Sequence, residues 1–468
     1  MMDEPGNKFR LRQVLGAVVL GVCYFATPAI AESNANQKPP NIIFILADDL
    51  ASYELGCYGG GNVPTPNLDR LAREGMRFTQ AFASEAICTP CRASLYTGLF
   101  PARHGASRNH AAAKPGTLSV PHYLEPLGYR VGLTGKVHVK PKKVFAFTDV
   151  PGFEQSCTLE TADYNLTGIR EFMQRDAKQP FCLFVCSTLP HAPWTVGDPS
   201  QFPPDKLKLP PTWIDTPETR ANFSKYCAEI AALDKQVGDI LEAAPDNTLV
   251  FFGGEQGSQF PGSKWTLFAP GVASAMIVRW PGHIKAGTVA AAIVQYEDVL
   301  PTMIEAAGGT PPVTLDGRSF LQVLTGAKIA HRDYAYGIYN NGPDSDPYPI
   351  RSIRSGQYKL IRNLAPDSEF QNKHIMSSAC GNYWQSWVEA AKRDAPSAAL
   401  MNRFLKRPAV ELYDVAADPW ELTNLADRPD LAGTRRDLED RLQAWMKEQG
   451  DAGAALDLPV ENEGKNKK

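Results

Sequence analysis

The chain has 468 residues, 43% hydrophobic and 21% charged, with a formal net charge of −3. Its length suits two domains better than one, and its composition excludes extended disorder. The near-neutral charge excludes a global basic field for nucleic acid or an anionic membrane, so an anionic ligand has to be met by a local cluster of cations.

Residues 1–31 read as a secretory signal peptide. Lys8, Arg10 and Arg12 precede the apolar VLGAVVLGVCYFA, and PAIAES offers a small-residue cleavage site ending at Ala31. That apolar run is short for a bilayer, and no later stretch is long and apolar enough. The mature chain is therefore expected to carry no membrane span and to be exported, periplasmic or secreted. After a polar linker (32–40), NIIFILADDL is a continuous apolar run, the pattern of a strand buried on both faces of a parallel sheet. PTPNLDRLAREGMRF has helical spacing, with Leu68, Leu71 and Met76 on one side. YRVGLTGKVHV, PFCLFVCSTLPHAPW and NTLVFFGGEQG repeat the opening pattern of strand followed by polar residues. ANFSKYCAEIAALDKQVGDILEAA, between the last two, is an amphipathic helix. ASAMIVRWPG adds a strand and EDVLPTMIEAAG a helix. This alternation predicts an α/β fold over 41–330, a doubly wound, mostly parallel sheet flanked by helices.

From residue 331 the texture changes. SIRSG to YKLIR reads as a hairpin, VELYDVAADPWELTNLA as a strand and turn, and RRDLEDRLQAWMKEQG as an amphipathic helix. A smaller C-terminal α+β domain over 331–460 is expected, and the tail 461–468 reads as disordered.

Ligands of open α/β sheets bind beyond the carboxyl ends of the strands. Four predicted strands deliver polar groups there: Asp48 and Asp49, Lys136 and His138, His191, and Glu255 and Gln256. Carboxylates with an amide oxygen suit a hard divalent cation, most naturally calcium, with magnesium as the alternative. The histidines and lysine beside them suit acid/base work and anion binding. Each group alone also reads as an ordinary cap or solvated turn, but four on successive strand ends point to one site.

AICTPCRASLYTG, residues 86–98, holds Cys88 and Cys91 three apart. A metal site, a redox pair, a disulfide and a modified nucleophile all fit that spacing. Pro90 suits a first helical turn, which places Cys88 near a helix N-terminus that favours anions. It also puts the planar fork of Arg92 one turn on, available to an oxyanion. The remaining cysteines have irregular spacing and no zinc pattern, and Cys182 and Cys186 read as small core hydrophobes in a buried strand.

Cys88, Pro90 and Arg92, followed by Thr97 and Gly98, match C-x-P-x-R with a short helix and T-G. The chain thereby resembles the formylglycine-dependent sulfatases of the alkaline phosphatase superfamily. NIIFILADDL, TPNLDRLAREG, LTGKVHV, LPHAPW, PGVASAMIVRWPG and ELYDVAADPWELTNLA look like further landmarks of that family, in order along nearly the whole mature chain. The resemblance implies that Cys88 is oxidised to formylglycine by a dedicated formylglycine-generating or sulfatase-maturating enzyme, while Cys91 is packing. It implies a metal, most naturally calcium, at Asp48, Asp49, Glu255, Gln256 and position 88. One hydroxyl of the hydrated aldehyde would attack sulfur, with Arg92 supporting the diol, Lys136 and Lys264 on the sulfate oxygens, and His191 protonating the leaving group. His138 would help the second hydroxyl expel sulfate. One departure stands out: the family's S-D-N-G or S-D-H-G is here G-G-E-Q-G, so Glu255 keeps the charge but adds a methylene, and Gln256 keeps an amide oxygen.

GEQGSQFPGSKWTLFAPG and LTGKVHVKPKKVFAF are similar to the corresponding stretches of heparan N-sulfatases, with Lys264 where those have arginine. This implies a glycosaminoglycan-type sulfated carbohydrate, an N-sulfoglucosamine or a related O-sulfate. Arg108, Asn109, His110, His374 and Trp384 are candidate substrate contacts. The alternatives are a phosphonate monoester or phosphodiester hydrolase using the same aldehyde, disfavoured by Gln256, and an inactive sulfoglycan-binding homologue.

Overall fold

In the computed structural model, residues 38–342, 345–377 and 381–457 are described. The signal-peptide and tail readings concern residues outside these. Eight strands build the larger sheet: β1 Asn41–Ala47, β2 Met76–Phe82, β3 Arg130–Gly135, β4 Thr148–Asp149, β5 Phe181–Cys186, β6 Thr248–Gly254, β7 Ala273–Arg279 and β8 Thr288–Gln295. Their order is β4-β3-β5-β1-β6-β7-β2-β8, and β7 alone runs antiparallel to its two neighbours.

The opening apolar run behaves as its composition demands. Side chains alternate across a strand, and here both directions lead into a core. Ile43, Ile45 and Ala47 join one hydrophobic cluster, whereas Ile42, Phe44 and Leu46 join another. Phe44 stacks between Phe184 of β5 and Phe251 of β6, at ring-centroid distances of 5.6 and 5.8 Å. Full burial of such a side chain is worth about 2–3 kcal/mol, so β1 is anchored on both faces at the centre of the sheet.

The predicted helix before β2 ends earlier than its periodicity suggests. It spans Pro66–Glu74, and Met76 begins the strand. A side chain at Gly75 would meet the Val278 carbonyl oxygen at 2.4 Å, so the turn into the sheet needs glycine there. The helix Pro217–Ala243 is capped by the Thr216 side chain, which accepts from the Thr219 N–H. Its Asp234 carboxylate accepts the N–H groups of Asn67 and Leu68 at 3.1 and 2.9 Å, satisfying the start of the neighbouring helix.

A second sheet of four antiparallel strands follows: β9 Ala335–Tyr339, β10 Ile350–Arg354, β11 Tyr358–Asn363 and β12 Val410–Asp414. The hairpin β10–β11 is the one read from sequence. The helix Ala432–Gln449 lays Leu438, Leu442, Trp445 and Met446 on this sheet, against Ile338, Ile353, Leu360 and Leu412. Both sheets lie within one compact unit that begins at Pro39. Seven cysteines among the described residues are free thiols. No helix of the described residues is long and apolar enough to cross a membrane.

Candidate active site

Strands β3, β5, β1 and β6 are adjacent and parallel, so their carboxyl ends emerge along one edge of the sheet. β1 leads to Asp48 and Asp49, β3 to Lys136, β5 to His191, and β6 to Glu255 and Gln256. From β2 the chain passes through Ala83–Ile87 into the helix Cys88–Thr97, all ten of whose residues are buried. The entry segment is tied down from several sides. Ala83 N–H donates to the Val272 carbonyl, Trp265 N–H to Ala86 and Ile338 N–H to Ser84, at 2.8–2.9 Å. Gly98, at φ +67°, ends the helix in the left-handed conformation.

The Cys88 sulfur lies at the meeting point of these ends. Lys136 Nζ, Lys264 Nζ and Gln256 Nε2 each approach it at 3.4 Å, and Asp48 Oδ1 lies 3.9 Å away. Lys136 pairs with Asp48 at 2.5 Å and Lys264 with Asp49 at 2.8 Å. Burial opposes the charged form of Asp48, but Lys136, His191 and Arg92 outweigh it and hold the carboxyl well below its usual range. Burial likewise opposes charge on both lysines, and their carboxylate partners raise them regardless. The Cys88 thiol is pushed up to about 12, by burial first and the Glu255 charge second. Unmodified, this sulfur is a poor nucleophile near neutral pH.

The Arg92 fork points elsewhere than an oxyanion. Its Nε and Nη2 donate to the two Glu255 carboxylate oxygens at 2.9 and 2.7 Å, and its Nη1 to the Lys136 carbonyl at 2.7 Å. The whole guanidinium is buried, so all its reach is spent inside the protein. Burial pushes the Glu255 carboxyl up, with Arg92 opposing. Cys91 packs as a buried residue, its thiol donating to the Glu255 carbonyl at 3.0 Å.

The two histidines differ in electrostatics. Burial lowers His191, but Asp49 and Asp48 outweigh it, and its pKa is raised. Its Nδ1 donates to the Ala192 carbonyl at 2.5 Å and its Nε2 faces Asp49 Oδ2 at 3.5 Å. His138 is pushed down to about 2 by burial, with Lys136 and Arg92 adding to it, so it stays neutral. Its Nε2 meets His110 Nδ1 at 2.9 Å. The Thr89 hydroxyl donates to the His138 carbonyl and accepts from the His110 N–H, both at 3.1 Å, tying both histidines to the Cys88 helix.

Asp49, His110, His138 and Trp265 all have positive φ, and each belongs to this site; among the described residues the other non-glycine with positive φ is Glu421. Strained backbone of this kind gathers at functional sites.

Above Cys88 opens a cavity of about 660 Å³. Cys88, Lys136, His138, His191, Lys264, Asn109, His110 and His374 all contribute to its lining. Asp48, Asp49, Arg92, Glu255 and Gln256 lie buried beneath. Two candidate substrate contacts are placed differently. Trp384 lines a separate groove with Val388 and Met401, packing edge-on against Phe404. Arg108 is buried and does not line the cavity; its stem is 3.9 Å from where a Gly342 side chain would begin.

Several lining residues carry no sequence signal: Cys157, Gln259 and Trp265. Gln259 Oε1 accepts the Ala192 N–H at 2.6 Å and so fixes the segment that carries His191. The Trp265 ring lies 5.1 Å from Lys264 Nζ and stacks on His374 at 6.0 Å. Burial would raise the Cys157 thiol, but Lys136 and a hydrogen bond with His191 bring it down to about 7.

The buried residues suit a divalent cation. Ligand atoms of Asp48, Cys88 and Glu255 lie within 4.8 Å of one another. Gln256 Oε1 is buried without a hydrogen-bond partner, so an amide oxygen is available to such an ion. Apart from the Cys88 sulfur the donors are oxygens, as a hard ion requires.

The sulfatase family model matches residues 40–309, and the model of the N-sulphoglucosamine sulphohydrolase C-terminal region matches 262–372. An ulvan-active sulfatase of Formosa agariphila is 34% identical over 436 residues, covering 90% of this chain and 83% of that one. Human N-sulphoglucosamine sulphohydrolase is 28% identical over 489 residues, covering 93% of each. A protein solved with its substrate D-glucosamine-2-N,6-O-disulfate shares the fold at a TM-score of 0.68 and 20% identity, covering 89% of this chain and 99% of that one. So does the phosphonate monoester hydrolase of Agrobacterium radiobacter, at 0.67 and 20%, covering 88% and 96%. With its opening 40–309 matched to the family and a relative one-third identical along nine-tenths of its length, the chain belongs to the sulfatase family and is a hydrolase of sulfuric esters or sulfamates.

Proposed function

We propose that this enzyme removes sulfate from a glycosaminoglycan-type sugar, an N-sulfated glucosamine first, after export and after oxidation of Cys88 to formylglycine. The observation that carries the reading is the position of the Cys88 sulfur, 3.4 Å from two lysine ammonium groups at the floor of an open cavity. Hydrated, the aldehyde at position 88 supplies a hydroxyl nucleophile. A maturation enzyme that oxidises the thiol is the protein partner this implies. Asp48, Asp49, Glu255 and Gln256 would hold the cation, most naturally calcium, whose chemistry is to neutralise charge on a sulfate oxygen.

The side chains divide the remaining work. Lys136 and Lys264 flank position 88 and bind the sulfate oxygens, prepared in advance in a buried setting. Three basic groups, Arg92, Lys136 and Lys264, face three carboxylates here, so a divalent cation gives the site the positive surplus a sulfate needs. Arg92 orients Glu255 and does not reach the substrate. His191, its proton retained by Asp49, protonates the leaving nitrogen or oxygen. His138, held neutral, accepts the proton when sulfate is expelled. The amino-sugar assignment is supported by the match to the N-sulphoglucosamine sulphohydrolase C-terminal model, which begins just before Lys264.

The test is sulfate release from N-sulfoglucosamine and from 6-O-sulfated N-acetylglucosamine by matured enzyme. Release from the sulfamate is expected. Release from the ester alone would keep the chemistry and discard the substrate, and turnover of a phosphonate monoester alone would discard both.

Metal dependence is a separate expectation. Exhaustive chelation should stop turnover, and added calcium should restore it. Undiminished turnover after chelation would remove the metal role from Asp48, Asp49, Glu255 and Gln256.

A further inference from the structure

The cavity over Cys88 contains a second set of ligand atoms, in which Cys157, a residue that sulfate hydrolysis leaves unused, joins Asp48 and His191. Cys157 lies on the segment closed at its base by the bridge between Phe153 and Tyr164. Its sulfur, a carboxylate oxygen of Asp48 and a ring nitrogen of His191 all fall within 4.8 Å of one another. Sulfur, nitrogen and oxygen, one of each, form a donor set for zinc and similar soft or borderline cations, whereas calcium and magnesium take oxygen.

The surroundings favour such an ion. His191 Nδ1 is engaged with the Ala192 carbonyl, the arrangement that leaves Nε2 as a ligand atom and fixes the ring. Gln259 holds the same segment in place through the Ala192 N–H. Cys157 and His191 both line the open cavity, so an ion can enter from solution. A tetrahedral zinc with bonds of about 2.0–2.3 Å needs ligand atoms under about 4 Å apart, so binding draws the three side chains together. One group opposes binding: the Lys136 ammonium already contacts Asp48 at 2.5 Å. An incoming ion competes with it, which makes the site one for a reversible inhibitor and not for a resident cofactor.

We propose that Cys157, His191 and Asp48 form an inhibitory site for zinc, which shares Asp48 with the oxygen site beneath it and differs from it in its sulfur and nitrogen donors. On binding, the Cys157 thiol and the His191 Nε2 each release a proton to solvent, and the freed sulfur and nitrogen lone pairs coordinate the ion. His191 is then no longer available to the leaving group. The binding site stands independently of the sulfatase reading; only the inhibition rests on it.

Two measurements on the full chain test this. In the first, cobalt(II) is titrated as the probe into calcium-saturated protein, and the near-ultraviolet charge-transfer band of a cobalt–thiolate bond is recorded. The band is expected in the parent and in Cys88→Ser, and is expected to be lost in both Cys157→Ser and Cys157→Ala. Its absence from the parent, or its persistence in folded Cys157 variants, overturns the site. In the second, zinc inhibition of sulfate release is scaled to each variant's own zinc-free rate. Loss of a direct ligand should raise the half-inhibiting concentration at least about ten-fold. Equal zinc sensitivity in parent and Cys157→Ser would place the ion elsewhere. A protein without sulfatase activity that still shows the cobalt band would fail the earlier functional reading and keep this one.

Discussion

Replacing Cys88 by alanine is expected to abolish sulfate release, with a fall of about 10⁴-fold or more, the scale on which removal of a nucleophile acts. The fold should survive. Cys88 opens a helix whose other nine residues are themselves buried, and the polar contacts of that sulfur are long, 3.4–3.9 Å. Stability should change by no more than about 1–2 kcal/mol. Mass analysis of the Cys88 peptide from the parent protein should show loss of the thiol. A Cys88→Ala protein that folds and retains even a tenth of the parent rate would show that position 88 does not carry the nucleophile.

The second large effect concerns stability. Glu255→Gln should destabilise the protein by about 3–5 kcal/mol, because it leaves the fully buried Arg92 with an uncompensated charge. The ion pair is bidentate and both side chains are inaccessible. Asp48, 3.8 Å from Arg92, is already engaged with Lys136 and offers partial relief. Glu255→Asp keeps the charge but draws the carboxylate back from the fork, so it should fall between parent and Glu255→Gln. Urea unfolding of the three proteins without added metal isolates this from any cation. A Glu255→Gln midpoint equal to that of the parent would mean that Arg92 does not depend on the pair. The extra methylene of Glu255 relative to the usual aspartate would then need another explanation.

Much of this architecture was legible in the chain because burial on both faces writes itself as uninterrupted apolar residues. NIIFILA, FCLFVC and TLVFFGG are such runs, and each is a strand of the larger sheet. β2 and β8 were not visible. MRFTQAF and TVAAAIVQ lie towards the edge of the sheet, where polar side chains meet solvent and the run is broken. The helices Tyr383–Ala391 and Ala395–Leu405 were missed for want of clear periodicity.

At the site, residues at strand ends could be placed because strand direction says where they emerge. The partner of Arg92 could not, since spacing along one helix does not reveal a carboxylate 163 residues away. Cys157 was invisible for a similar reason: it sits in a loop with no periodicity, and only the fold brings it to Asp48 and His191.

The way the residues before Cys88 are held has a consequence for timing during synthesis. Ala83, Ser84 and Ala86 are fastened by partners at Val272, Ile338 and Trp265. Those partners leave the ribosome roughly 180 to 250 residues later, and non-local contacts of this kind form late. Throughout that interval the thiol is open to any enzyme able to grasp an extended peptide. Once the later segments dock, it is 2% exposed. The aldehyde proposed for position 88 would then have to be installed on an unfinished protein, and a chain that folded faster than it was modified would be locked, intact and well packed, in its thiol form.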